Sequence, residues 1–229
     1  MELIFLNTWH GTLHNELRQF VENARDNTDV FCFQEAHSDE QSAYQDFLEN
    51  YERYYSEKVQ PDLLLANVIF VRKDIEVVGS GTLLQQGSDI GVANYVIIRK
   101  GDMEVAVCNV HGIPHPAHKL DTPERIEQSQ VIIDHFSNRN RVIIGGDFNL
   151  LPESQSVKVF EQHGYRNLIA DYGIKSTRNH IALDAYPDNP QYYADYAFTS
   201  PDIDVLDFIV PDAIVSDHQS LRLSINSAS

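Results

Sequence analysis

The sequence predicts an α/β fold in which a mixed β-sheet, or two packed sheets, carries helices on the outside. Three observations lead there. Short apolar runs bounded by turn residues recur along the chain. Stretches with apolar residues at helical spacing alternate with them. Both a hairpin and crossover-type connections are present. No internal repeat, low-complexity tract or linker rich in Pro, Gly and Ser divides the 229 residues, so one domain over 1–229 is the economical organisation.

Leu3-Ile4-Phe5-Leu6 reads as the first strand. After Asn7-Thr8-Trp9-His10-Gly11, residues Leu13, Leu17, Phe20, Val21 and Ala24 fall on one face of a helix. Val30 to Gln34 reads as a second strand ending at Glu35, and Tyr44, Phe47, Leu48 and Tyr51 predict a helix beyond it. A further strand lies within Leu63 to Val71. Tyr95 to Arg99 and Val105 to Val110, joined by Lys100-Gly101-Asp102, form a hairpin. Thr122-Pro123 starts a helix that runs to about Phe136, a capping residue followed by Pro at the first helical position. Val142-Ile143-Ile144, bounded by Gly145-Gly146, reads as an interior strand with Asp147 and Asn149 at its end. A helix from about Gln155 to His163 is closed by Gly164. Tyr193 to Thr199, Ile203 to Val210 and Leu221 to Ile225 complete the strands.

Composition narrows the function classes. Hydrophobic residues make up 42% of the chain, enough for a sizeable core. No apolar stretch approaches the roughly 20 residues that span a bilayer, and "MELIFLNTWHG" lacks a basic n-region. A cytoplasmic location is therefore expected. Cys32 and Cys108 lie in strand-like segments and are expected as small buried hydrophobes. The formal charge is −17, and the tightest basic groupings are Arg72-Lys73, Arg99-Lys100 and Arg139 with Arg141. No basic run of the kind that grips a nucleic-acid backbone is present. A divalent cation can neutralise phosphate where the protein does not.

Polar residues recur where strands end. Asn7 follows the first strand, Glu35 the second, and His111 the run "VAVCNV". Asp147 and Asn149 end "RVIIGG", Asp195 sits within "YYADYAF", and Asp217 and His218 precede the last strand. Each alone has a local explanation as a turn, cap or loop residue. Together they are harder to dismiss, because an α/β sheet gathers its strand ends at one rim, where ligands bind.

"FLN", "FCFQE", "NVHG", "GGDFN", "YADYAF" and "SDH", in this order from Asn7 to His218, resemble the motifs of the endonuclease/exonuclease/phosphatase (DNase I-like) superfamily. The resemblance implies a four-layer α/β/β/α sandwich of two mixed sheets flanked by helices. It also implies hydrolysis of a phosphodiester with Mg²⁺ or Mn²⁺, by in-line attack of an activated water. The alternatives are a phosphatase or phosphodiesterase of small sugar, inositol or nucleotide phosphates and, less favoured, an inactive binding module. The partner is thus a phosphoester substrate, either nucleic acid or a small phosphorylated molecule. By the same resemblance Glu35 is the principal metal ligand, supported by Asn7 and Asp217. His218 is general base or electrostatic catalyst, with Asp195 orienting its ring. Asp147 positions or deprotonates the attacking water, Asn149 bonds a phosphoryl oxygen, and His111 stabilises charge on phosphate or leaving group. The glycines beside Asp147 would let the strand end pass close to the phosphate, with Phe148 turned into the core.

Other signals are weighed against plain explanations. "HGIPHPAH" and "HGTLH" invite a zinc site, but Pro114, Pro116 and Gly11 break any ligand-presenting helix, and structural zinc is disfavoured. Gly112 to Thr122 reads instead as a rim loop whose Pro114, His115, His118 and Lys119 could touch the leaving group. Trp9 is either a pocket wall or core, with core favoured. Arg178 in "STR" is a candidate phosphate contact, and Tyr186, Tyr192, Tyr193 and Tyr196 are expected in aromatic packing.

Overall fold

A computed structural model describes residues 1–37, 47–60, 63–84, 91–185, 187–188 and 190–226. The strands are β1 (Glu2–Asn7), β2 (Val30–His37), β3 (Tyr51–Gln60), β4 (Leu63–Arg72), β5 (Glu76–Leu83), β6 (Val92–Lys100), β7 (Met103–His111), β8 (Val142–Asp147), β9 (Arg166–Asn167), β10 (Asp195–Thr199), β11 (Val205–Ile209) and β12 (Leu221–Ile225). The α-helices are α1 (His14–Ala24), α2 (Pro123–Phe136), α3 (Gln155–Gln162), α4 (Leu168–Asp171) and α5 (His180–Ala185). They build the expected sandwich. One six-stranded sheet has the order β11-β12-β1-β2-β4-β3, the other β5-β6-β7-β8-β10-β9. Each is mixed, with a parallel pair at its centre and antiparallel neighbours on both sides.

The inner faces meet through side chains such as Phe5, Cys32, Ile69, Val96 and Cys108, all buried. Both cysteines are buried and free, as expected. Helix α1 covers the outside of the first sheet, where Leu17, Phe20 and Val21 join Ile4, Leu6, Phe31 and Phe33. On the second sheet, Phe160 of α3 stacks on Phe198 of β10 at 4.4 Å, and Phe136 of α2 meets Tyr95 of β6 edge-on at 5.6 Å. Helix α2 starts as expected, with Thr122 accepting a hydrogen bond from the Arg125 N–H and Pro123 in the first turn. No helix among the described residues is long and apolar enough to cross a membrane.

Two expectations need correction. Tyr51 does not close a helix but opens β3, and its ring packs against Phe31 at 5.6 Å. Tyr51-Glu52-Arg53-Tyr54-Tyr55 has the aromatic content of a half-buried strand, and tertiary pairing with β4 decides the matter. Tyr44 lies outside the described residues. The second correction concerns Gly145 and Gly146. A Cβ on Gly145 would stand 2.8 Å from the Phe5 ring, and one on Gly146, at φ +128°, would stand 2.2 Å from the Val110 carbonyl oxygen. These glycines let the two sheets, and two neighbouring strands, approach one another; the close contact is with protein, not with phosphate.

The topology explains why the polar residues converge. Parallel strands β1 and β2, and β7 and β8, deliver their C-terminal ends to one rim, with His111 paired to Asp147. Antiparallel strands deliver their beginnings there: Asp195 opens β10 opposite Asp147, and β12 begins beside the end of β1.

Candidate active site

Asp147 lies at the centre of the rim and is buried. Its Oδ2 accepts from Asn7 Nδ2 at 2.9 Å and Asn149 Nδ2 at 3.3 Å, and its Oδ1 from the Asn149 N–H at 2.8 Å. Burial alone would push this carboxyl up. The surrounding His218, His111, Arg178 and Lys119 outweigh it and hold the pKa below the ordinary value. His111 Nε2 stands 3.9 Å and His218 Nε2 3.8 Å from Asp147 Oδ2.

His218 is fixed from behind. Its Nδ1 contacts both oxygens of Asp195, at 2.9 and 3.0 Å, and both residues are buried. Asp195 is itself held by its neighbour, since the Thr177 hydroxyl accepts from the Ala194 and Asp195 N–H groups at 3.1 Å each. Arg178 then places Nη2 at 2.6 Å from His218 Nε2. That contact needs the Nε2 lone pair, so the geometry depicts a neutral ring with its proton on Nδ1, shared with Asp195. Burial opposes the imidazolium, but Asp195 and Asp147 outweigh burial and Arg178 and push the pKa up to about 9. Arg178 lowers this pKa while it rests on the ring, so its departure would raise the ring's affinity for a proton further.

Glu35 comes from a different device. The register between β2 and β4 shifts between Phe33 and Ala36, and Glu35 adopts φ +52° within that irregularity. Such a bulge re-aims a side chain. Here it turns the carboxylate toward His10 Nε2, 3.1 Å from Oε2, and His111 Nε2, 3.5 Å from Oε1. Burial would raise its pKa, but His10, His111 and His218 hold it far below the usual carboxylate range. Asn7 is occupied locally: its Oδ1 accepts from the Trp9 N–H at 3.0 Å while its Nδ2 serves Asp147. Asp217 lies nearer Arg178, 3.7 Å away, than the His218 ring at 4.0 Å. Glu35, His111 and Asp147 are grouped closely enough to hold a metal, as are Asp147, Asp195 and His218. Both sets offer the hard oxygens a divalent cation requires, and the part-exposed Glu35, its pKa held low by the facing imidazoles, fits that role best.

A cavity of about 350 Å³ opens above these groups. Trp9 lines it, so the only tryptophan is a pocket wall and not core. From the rim loop Pro114, His115 and Lys119 line it too, whereas His118 turns its Nδ1 to the Leu120 N–H at 2.9 Å. Among the described residues neither His115, His118 nor His14 belongs to a metal-type group. Lys119 reaches Asn149 Oδ1 at 2.5 Å and the Pro114 carbonyl at 2.7 Å. Phe148 packs on Phe160, Tyr196 and Phe198 as expected. Tyr196 is likewise core, Tyr192 is exposed, and Tyr186 lies outside the described residues.

Over residues 4–218 the sequence matches the Endonuclease/Exonuclease/phosphatase family. The chain belongs to that family. No curated protein sequence matches it significantly. Among solved structures it is similar to the mannosyl-6-phosphatase Bt3783 of Bacteroides thetaiotaomicron, at 16% identity and a TM-score of 0.77 over 99% of both chains. The human Nocturnin catalytic domain with bound sulfate is similar at 16% identity and a TM-score of 0.75, over 99% of this chain and 93% of that one. Truncated TDP2 of Caenorhabditis elegans matches at 16% identity and 0.73, over 99% and 97%. At such identities the likeness is one of fold.

Three contributors to the site escape sequence reasoning. Gln34 donates to Asn109 Oδ1 at 2.5 Å, tying the two sheets together one residue from Glu35 and two from His111. Thr177 steadies Asp195. His10, weighed only as a zinc candidate, faces Glu35. The sole local signals were the Gln before Glu35 and the Asn two before His111.

Proposed function

We propose that this chain is a divalent-metal-dependent phosphoesterase, and that its substrate is a phosphate monoester of a small molecule. One observation carries the second part. Two side-chain cations, Lys119 and Arg178, enter a cavity of about 350 Å³ and converge on Asn149 and His218, in a protein of charge −17. A terminal phosphate carries two negative charges and needs that concentration of cations, whereas an extended nucleic acid needs a basic track. The cavity is also of small-ligand size. Sequence alone favours the diester; the cavity lining favours the monoester alternative.

Glu35 would hold the divalent ion, with Asn7 and Asp217 in support, and the ion would supply charge neutralisation on the phosphoryl oxygens. The protein groups do the rest. Arg178 leaves His218 for the incoming phosphate, and Lys119 and Asn149 take a second oxygen. Asp147, ionised and locked by Asn7 and Asn149, orients the attacking water. The freed Nε2 of His218 accepts its proton, and Asp195 stabilises the resulting imidazolium. As the bond between phosphorus and the ester oxygen breaks, His111 would stabilise the charge on the departing alkoxide, which takes a proton from water.

The test compares a chromogenic phosphate monoester with a diester, in Mg²⁺, Mn²⁺ and EDTA. Metal-dependent monoester turnover exceeding diester turnover is expected, with the margin shrinking in Lys119→Ala. Faster diester cleavage would return the reading to a phosphodiesterase, and activity indifferent to EDTA would remove the metal.

A further inference from the structure

His10 has no part in the scheme above, yet the loop around it is built with care. Trp9 and His10 are consecutive L-residues at φ +47° and +56°. Left-handed conformations are unfavourable for such side chains and persist only where the surroundings impose them. The imposition is visible. The Trp9 N–H donates to Asn7 Oδ1 at 3.0 Å, Gly11 N–H to the Thr8 carbonyl at 2.9 Å, and Thr12 N–H to the Trp9 carbonyl at 2.9 Å. Thr8 is pinned in turn through its hydroxyl to the Gln34 carbonyl at 3.0 Å, next to Glu35. The outcome is an imidazole whose Nε2 lies 3.1 Å from Glu35 Oε2 and faces the cavity.

A His–Glu pair whose side chains are 33% and 20% exposed does not by itself account for two strained residues. A shared ligand does. Two donors bound at right angles to one ion, each about 2.1 Å from it, stand about 3.0 Å apart. A second imidazole, His111, faces the other oxygen of the same carboxylate at 3.5 Å.

We propose that His10 is a nitrogen ligand of the divalent-metal site centred on Glu35, and that it biases the site toward ions that accept imidazole, such as Co²⁺ or Zn²⁺, over Mg²⁺. Mg²⁺ prefers oxygen donors and retained water, whereas imidazole suits the later first-row metals. The proposal rests on the reading that Glu35 binds the metal.

The experiment titrates the full-length protein with CoCl₂ and with MgCl₂ by calorimetry, and records the visible absorption of the Co²⁺ form. His10→Gly removes the ring without backbone strain, His10→Asn tolerates the left-handed backbone and offers oxygen, and Glu35→Gln is the control. Loss of Co²⁺ affinity by about tenfold or more in His10→Gly, with Mg²⁺ changed by less than about twofold and an altered Co²⁺ spectrum, would support the assignment. His10→Asn should recover less than half of the Co²⁺ loss. Tighter binding of both ions in His10→Gly would show that His10 competes for Glu35 as an ion-pair partner, and would overturn it. Unchanged binding of both, with Glu35→Gln still defective, would overturn the role of His10 and leave the proposed function standing. Unchanged binding in Glu35→Gln would remove both.

Discussion

The two sheets repeat one plan. In each, a strand, a covering helix and a parallel strand form the centre: β1, α1 and β2 in one, β7, α2 and β8 in the other. Each pair is flanked by an antiparallel hairpin on one side and two antiparallel strands on the other. The equivalent ends therefore meet face to face, Asn7 and Glu35 opposite His111 and Asp147. The two carboxylates nevertheless stand in different surroundings. The Glu35 side chain is 20% exposed and faced by imidazoles, whereas that of Asp147 is 2% exposed and held by three hydrogen bonds from amide groups. The backbone differs correspondingly. β2 bulges and continues past Glu35, while β8 stops at Asp147 after a glycine at φ +128°. Under the proposed function, one scaffold would thus present one carboxylate to an ion and another to a water, with exposure and neighbours making the distinction.

The largest expected effects test that division. Glu35→Gln and Asp147→Asn should each lower kcat by about 10²–10⁴-fold with the fold intact by circular dichroism. Only Glu35→Gln should weaken Mn²⁺ binding measured by calorimetry, by about 100-fold or more, because Asp147 is buried and already engaged by three amide hydrogen bonds. Equal loss of metal in both variants would erase the distinction. His218→Gln should match Asp147→Asn in rate and likewise leave metal affinity nearly unchanged.

A stability experiment addresses the backbone difference. Gly146→Ala would force a Cβ to within 2.2 Å of the Val110 carbonyl oxygen at a left-handed φ, so a loss of about 3 kcal/mol or more is expected in urea unfolding. Ala at Glu35, where an L-residue already occupies φ +52°, should cost far less. Similar losses at both would mean that the two strand ends are under the same constraint.

The central pairs are legible in the sequence because each is a short apolar run ending in a polar residue, and four buried positions in succession leave little choice of structure. β3 and β5 are not. Tyr51 to Gln60 mixes charges with aromatics, and Glu76 to Leu83 carries Gly79, Ser80 and Gly81, so both depend on partner strands for their identity. The site shows the same split. Asn7, His111, Asp147 and Asp195 announce themselves by lying where strands end or begin, and His218 by preceding one; Glu35 follows the apolar run of β2, although the strand goes on to His37. Gln34 and Asn109 bond across 75 positions, and Arg178 reaches His218 across 40, distances over which no local pattern operates. Arg178 arrives because its segment clips onto that of His218: Gln219 N–H donates to the Thr177 carbonyl at 2.8 Å, and Asn179 Nδ2 to the Ser216 carbonyl at 2.6 Å.

The smallest expected effect concerns Lys119, which joins the second sheet's side of the rim through Asn149. Burial pushes its ammonium pKa down from 10.5 to about 8; Arg178 and Arg125 add to the shift, and Asp147 and Glu35 oppose it. A lowered lysine pKa means that the charge is present below about pH 8 and lost above it. If the ammonium grips substrate phosphate, KM should rise through that pH, by up to about tenfold per further unit, while kcat changes less. Lys119→Arg keeps its charge throughout and should flatten the rise. Lys119→Ala should start from a higher KM and show no inflection. Because burial dominates this shift and Glu35 on the opposite sheet is the least of its named causes, Glu35→Gln should leave the inflection in place when phosphate binding is followed directly by calorimetry. An inflection that vanished with Glu35 would instead assign it to the metal side of the rim, and would mean that the two halves titrate as one unit.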